Sequence, residues 1–434
     1  MKNKYIPDES KIILLLNFIW RIAFNQTPSQ EVTSQIKKFL FFGTGMMVAK
    51  FLSITSQIIM GRKFGPEIYG QITLILLISS YFAMPMVNGW GLVFTKIAAK
   101  ETDSEKKHQA LKSLLIVVSI CCILTMIILA GLQKPLAKLL GVTVPLMQLS
   151  LVMTFFYAWW ILAKQIAQGF QDWYTYVVIE NIWAVVVLAG ILGLILLAQF
   201  NLVTVSEVFF AGYFLSGIGL FGIVWRSLFA KVNLHYIQDI LSHGWFLLLN
   251  GLVGVATFSI DRILINKNLG VEEVGIYQAH FLSTYGIVSA FMTILLTYIF
   301  PAFCRNNDMH VIIGKIIKIQ YPATIIISIV TGSLVLWMYS FPVSFTLFGS
   351  LCLFNAVQFH VQLKSWYLAS KGINESKRTL LSQLVFLSTN VFVLLILIQY
   401  ISIIAGGISL LIAACSSLFY LSKSEITIPH ETTF

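Results

Sequence analysis

Phe64-Gly65-Pro66-Glu67-Ile68-Tyr69-Gly70 joins two long apolar runs near the start of the chain, and Leu269-Gly270-Val271-Glu272-Glu273-Val274-Gly275 joins two more past its middle. Both read apolar-Gly-x-Glu-x-x-Gly, and from Gly65 to Gly270 the offset is 205 residues, close to half of the 434. The flanking runs are long enough for the roughly 20 residues that a helix needs to cross a bilayer core of about 30 Å. A motif that twice turns one crossing helix into the next predicts a duplicated helical membrane protein. With six crossings per half, both halves enter from the same side, which is a parallel repeat about an axis along the membrane normal. Such a repeat points to a transporter.

Outward from these junctions the hydropathy pattern predicts about twelve spans, near 39–61, 70–96, 111–132, 145–167, 175–198, 206–228, 244–266, 274–302, 314–338, 342–368, 379–398 and 400–421. The connections are too short for a soluble domain. Long apolar runs exclude a closed barrel, whose strands alternate over about ten residues. The fold class expected is therefore an all-α polytopic membrane protein of two six-helix bundles. The expected organisation is a tail over 1–38, a bundle over 39–230, a linker over 231–243, a second bundle over 244–422 and a tail over 423–434. Composition agrees: 58% of residues are apolar and 11% charged, against about 45–50% and about 25% in soluble domains, and the mean hydropathy is +0.84. That balance excludes a soluble enzyme, a nucleic-acid-binding protein and a disordered chain.

The net charge of +11 reads as cytoplasmic loops enriched in Lys and Arg. With the N-terminus inside, 22 of the 29 basic residues fall in cytoplasmic segments and their flanks. Only Arg62, Lys63, Lys134, Lys138 and Lys267 fall outside, while Lys50 and Arg262 sit within spans. Both termini are thus expected in the cytoplasm. Residues 12–24 are too short to span and carry Asn17 and Arg21 four residues apart, which fits either a helix lying on the interface or a disordered tail. The five cysteines are irregularly spaced within or beside apolar runs, so neither a disulfide framework nor a metal site follows.

Charges inside spans are costly, about 2.5–3.5 kcal/mol on insertion scales, and usually face a cavity. Lys50 lies near the middle of the first span, on one face with Gly43, Ser53 and Gln57. It either lines a cavity or bonds neighbouring carbonyls. Asn250, Gly254, Thr257 and Asp261 follow the i, i+4, i+7, i+11 spacing of a single helix face. Desolvation of a buried carboxylate favours its protonated form, which makes Asp261 a candidate for ion exchange, as is Glu180. On a regular helix Arg262 points about 100° away from Asp261, so each is expected to meet a partner on another helix, either to serve transport or to brace the packing. Asn88, Lys96, His280 and Lys364 complete the candidate cavity set. A lone histidine more often packs than relays protons, and Lys96 and Lys364 sit where a snorkelling anchor would. No GxSxG, HExxH, GxxxxGK[ST] or CxxC motif is present, and the longest outer segment spans about a dozen residues. Catalysis is not expected, nor is a cofactor.

Met60-Gly61-Arg62-Lys63 leading into the first junction resembles bacterial polysaccharide-unit (O-antigen) flippases, the polysaccharide-transport branch of the multidrug/oligosaccharidyl-lipid/polysaccharide (MOP) exporter superfamily. Ala167-Gln168-Gly169-Phe170-Gln171-Asp172-Trp173-Tyr174, Ile260-Asp261-Arg262 with the second junction, and Ala369-Ser370-Lys371-Gly372 resemble the same family. The resemblance implies a V-shaped, alternating-access carrier in the bacterial inner membrane. It would move an undecaprenyl-diphosphate-linked sugar unit to the outer leaflet for O-antigen, lipopolysaccharide, capsule or exopolysaccharide synthesis. Partners implied are that lipid, membrane lipids, a proton or sodium counter-ion and other assembly proteins. Lys50, Lys96 and Arg262 would meet the diphosphate. The short segment between the ninth and tenth spans and the long N-terminal tail depart from the family. A drug/cation antiporter of the same superfamily, a membrane glycosyltransferase or polymerase, and a scaffold for sugar-assembly enzymes are the rival readings. An acidic cavity would favour the first and large outer loops the second.

Overall fold

The computed structural model describes residues 30–292, 310–371 and 373–426. The expected interfacial segment 12–24, Cys304 and residues 427–434 lie outside the described residues.

Fourteen α-helices make up most of what is described. In the first half they are α1 (Gln30–Ala83), α2 (Gly89–Lys100), α3 (Ser104–Leu140), α4 (Val144–Gly169), α5 (Trp173–Leu196), α6 (Leu202–Ser216) and α7 (Phe221–Leu228). In the second they are α8 (Leu234–Thr257), α9 (Ile260–Leu269), α10 (Val271–Phe281), α11 (His310–Tyr339), α12 (Phe345–Lys371), α13 (Ile373–Ile401) and α14 (Ile404–Ile426). No strand occurs among the described residues. Starts are set by local chemistry: the side chains of Asp103, Thr143, Asp172, Asn201 and Asn233 each accept an amide N–H from the first turn of α3, α4, α5, α6 and α8, which satisfies donors that have no intrahelical partner.

The two quoted junctions prove structurally equivalent. Gly65 adopts φ 83°, ψ 169° and Gly270 adopts φ 101°, ψ 171°, a region essentially reserved for glycine. Gly65 folds α1 back on itself: the Tyr69 hydroxyl donates to Gln57 Oε1 across 3.3 Å, whereas twelve residues of straight helix would separate them by about 18 Å. Among the described residues, nine helical runs are long and apolar enough to cross a membrane. The first of them, Phe41–Lys100, crosses twice through this fold-back. Large apolar side chains such as Ile123, Ile127, Trp337 and Phe392 face outward, as a surface bathed in lipid requires.

Packing sorts the helices into halves. In the first, α1 lies against α4 and α5, and α6 closes on both. In the second, α12, α13 and α14 pack together, with α11 on α12 and with α8 and α9 on α13. The halves meet along α1 and α10, and again along α2 and α8. At the first meeting the repeat motifs interlock: a Cβ on Gly70 would strike the Val271 carbonyl, and one on Gly275 the Pro66 carbonyl. Both contacts are backbone against backbone.

The expected unbroken seventh span is two helices. The break falls at residues 258–259, where Ser259 takes φ −147°, ψ −16°. It separates α8 from α9 and re-aims every side chain beyond it.

Candidate functional site

Three charged groups from the two halves face a common central cavity of about 330 Å³. Lys50 and Gln57 reach it from α1, Glu180 from α5, and Arg262 with Gln278 from α9 and α10. A second cavity of about 300 Å³ shares Lys50, Trp160 and Glu180 and extends past Lys164. A third, of about 520 Å³, lies toward the end bearing Lys100, Lys377 and Arg378; Lys96, Asn250, Gln358 and Gln362 line it.

The break in the seventh span builds the Arg262 centre. Phe258 is left with a carbonyl that no longer continues a helix, and Arg262 Nη1 donates to it. The same Nη1 lies 2.9 Å from Asp261 Oδ1, which also accepts the Arg262 amide N–H at 2.9 Å. The Tyr277 hydroxyl donates to Asp261 Oδ2 across 2.5 Å. Arg262 Nε donates to Gln278 Oε1 at 2.8 Å, and the guanidinium lies 3.9 Å from the centre of the Phe281 ring. The expectation that Asp261 and Arg262 cannot pair is therefore corrected. It assumed a regular helix, whereas Asp261 stands in the first turn after a break. Asp261 is fully buried and both its oxygens are taken.

Glu180 is bound by a residue the sequence reading counted among cytoplasmic flanks. Lys164 Nζ lies 3.0 Å from Glu180 Oε1 and 3.3 Å from the centre of the Trp160 ring. Both positions are eight residues from Asp172, which caps the turn between α4 and α5, so an antiparallel hairpin brings them level. That spacing was the missed signal. Lys50, in contrast, has no ion-pair partner among the described residues.

Three expected cavity residues do other work. His280 is wholly enclosed: Nδ1 bonds the Ile276 carbonyl at 2.9 Å and Nε2 accepts the Ser344 amide at 3.1 Å. It ties α10 to the start of α12 and borders no cavity described here. Lys364 turns to the Ser422 hydroxyl at 3.2 Å, bracing α12 against α14. Asn88 receives the Gln165 amide at its Oδ1, 3.3 Å away, and abuts Gly251 where the halves meet.

Beyond the central cavity, at the end holding Gly65 and Gly270, the seam is shut. The hydroxyls of Tyr69 and Tyr339, one from each half and both buried, lie 2.9 Å apart. Asn266 Nδ2 donates to the Gly141 carbonyl at 2.8 Å. We call this the far end and the Lys/Arg-rich one the basic end.

Two helical bundles around charged central cavities make a fold that solved structures share. The fold matches an inward-facing multidrug-resistance MATE transporter of the MOP superfamily (TM-score 0.66, 14% identity, 88% of this chain and 96% of that one). It also matches a MOP superfamily transporter from Pyrococcus furiosus (0.62, 15%, 89% and 95%) and the lipid II flippase MurJ in an inward closed state (0.60, 14%, 90% and 88%). Among curated protein sequences, none matches significantly. The family profile described as polysaccharide biosynthesis protein matches residues 35–307. The chain belongs to that family.

Proposed function

We propose that this protein flips an undecaprenyl-diphosphate-linked sugar unit across the bacterial cytoplasmic membrane by alternating access. The basic end is the cytoplasmic one, with both termini there, and the state described is open toward the inside. The observation that carries the reading is the charge balance of the central cavity. Asp261 is paired with Arg262 and Glu180 with Lys164, which leaves Lys50 as surplus cation in the cavity that Arg262 also lines. A diphosphate meets such a pair through charge-assisted hydrogen bonds. The prenyl tail stays in lipid, so only the polar head must cross and no bond need be made or broken. Lys96 and Asn250, in the cavity toward the basic end, form the entry path.

The pairing of Glu180 and Asp261 bears on coupling. Each carboxylate already has a cation from the chain itself, so neither offers a vacant site to sodium. The same pairing separates this chain from cation antiporters of similar fold, which need an acidic cavity. The product would feed O-antigen, capsule or exopolysaccharide assembly.

The test is leaflet transfer of undecaprenyl-diphosphate-oligosaccharide in vesicles holding the purified protein. Lys50→Ala and Asp261→Asn are expected to slow transfer at least about tenfold, a loss of about 1.4 kcal/mol. Transfer intact in both would remove the charge mechanism, and no transfer by the native protein would remove the function.

A further inference from the structure

The part of the central cavity wall supplied by α4, α5 and α6 is rich in aromatic rings. Tyr157 and Trp160 come from α4, Trp183 from α5 and Tyr213 from α6, and all four line the cavity that holds Lys50 and Arg262. Trp183 and Tyr213 are stacked, with centroids 5.7 Å apart and planes at 17°. Trp160 packs on both, at 5.5 Å and 5.3 Å, and Tyr157 stands edge-on to Tyr213 at 5.3 Å. Four rings are a costly way to fill space beside lysine and arginine, since leucines would pack as well. Two indole N–H groups, on Trp160 and Trp183, are buried with no acceptor among the described residues, and such groups in a native fold call for an explanation.

We infer that this wall is a sugar subsite, taking the pyranose ring nearest the diphosphate. The inference rests on the flippase reading and names the part of the substrate the wall receives. An aromatic face is negative at its centre and attracts positively polarised groups, and the C–H edges on one side of a pyranose present such a surface. Its hydroxyls then meet the polar rim of the same cavity, made by Ser53, Gln57 and Gln278. A cationic guest would also suit aromatic rings. Here Lys164 already covers Trp160, and Lys50 and Arg262 guard the remaining space. Phosphates against the cations and ring against the indoles fit one head group of a definite polarity, in a cavity within the usual size range for small ligands.

The experiment uses the full chain in lipid nanodiscs and two probes: undecaprenyl diphosphate and undecaprenyl-diphosphate-N-acetylglucosamine. Native protein is expected to bind the sugar-bearing lipid about tenfold more tightly than the bare one. Trp183→Ala should reduce that ratio to about one while leaving affinity for the bare lipid within about threefold, and Trp183→Phe should retain part of it. Tyr157→Leu supplies the same reading should Trp183→Ala fail to fold. Lys50→Ala should weaken both lipids alike. Equal affinities in the native protein, or a ratio that survives both aromatic substitutions, overturns the subsite and leaves the flippase reading standing. Failure of native protein to bind either lipid overturns both.

Discussion

Under the alternating access proposed above, the interlocked glycines set a bias at the far end that can be calculated. Gly275→Val places a branched side chain against the Pro66 carbonyl, and that atom belongs to the backbone of the α1 fold-back, so it cannot rotate aside. The helices must part. Overpacking of this kind costs about 1–3 kcal/mol, and the penalty exists only while α1 and α10 touch. In alternating access the far end opens in the opposite state and the penalty vanishes. The equilibrium should therefore move toward the open far end by about 5- to 150-fold. The assay places Gln57→Cys just beneath the Tyr69–Tyr339 pair, in a background without Cys121, Cys122, Cys304, Cys352 and Cys415. Labelling by a membrane-impermeant thiol reagent is then measured from the far-end side. Gly275→Val should raise the labelling rate at least about fivefold. Gly193→Val, where an added Cβ meets nothing within 4 Å, should not. An unchanged rate in folded Gly275→Val protein would mean that α1 and α10 stay in contact throughout the cycle. The switch would then lie elsewhere.

Lys164→Met leaves Glu180 buried without its cation and should lower thermal stability in detergent by about 3–5 kcal/mol, while Lys164→Met with Glu180→Gln should recover most of it; equal losses would mean the two do not act as a pair. Tyr69→Phe and Tyr339→Phe should show a coupling of about 1 kcal/mol in a double-mutant cycle, and strict additivity would refute the seal between the halves. His280→Ala should cost about 1–3 kcal/mol of stability with unchanged affinity for undecaprenyl diphosphate, since its ring bonds only backbone. Leaflet transfer in vesicles should quicken under an inside-negative potential and slow under the reverse; indifference to both would exclude net charge movement.

Legibility in the sequence tracked regularity. The junction motifs were readable because glycine is required wherever φ is positive, so the same demand at Gly65 and Gly270 left the same letters. The helices and their apolar outer faces were readable because lipid rewards uniform hydropathy over a whole span. Lys50 and Gln57 line one cavity because α1 is regular between them. Arg262 and Asp261 were misjudged because helical geometry was extended across residues 258–259, and nothing in the local letters marks that break: Phe258-Ser259 is a common enough pair inside helices. Lys164 was misjudged because its partner lies on the next helix, and a reading of single helices cannot see across a hairpin unless distances from the turn are counted. His280 and Lys364 show the reverse error, in which a polar side chain inside a span was read as facing a cavity while tertiary contacts claimed it first. The aromatic wall was invisible for the same reason, since its four rings meet only when α4, α5 and α6 are brought together.

On the flippase reading proposed above, the paired carboxylates would let the carrier run without a coupling ion. With Asp261 and Glu180 neutralised by their own chain, the empty cavity carries the surplus positive charge of Lys50. A diphosphate diester brings a negative charge on each phosphate, so the loaded cavity is net negative. An inside-negative membrane does about 2.3 kcal/mol of work per charge per 100 mV. On the loaded site that work favours the outward-facing state, and on the empty site it favours the return. One field thus drives both halves of the cycle in the useful direction, because binding reverses the sign of the cavity. A vacant carboxylate in that cavity would cancel the Lys50 charge and remove the return stroke. Holding Asp261 and Glu180 in pairs with Arg262 and Lys164 is therefore a condition of the mechanism as well as of a stable fold.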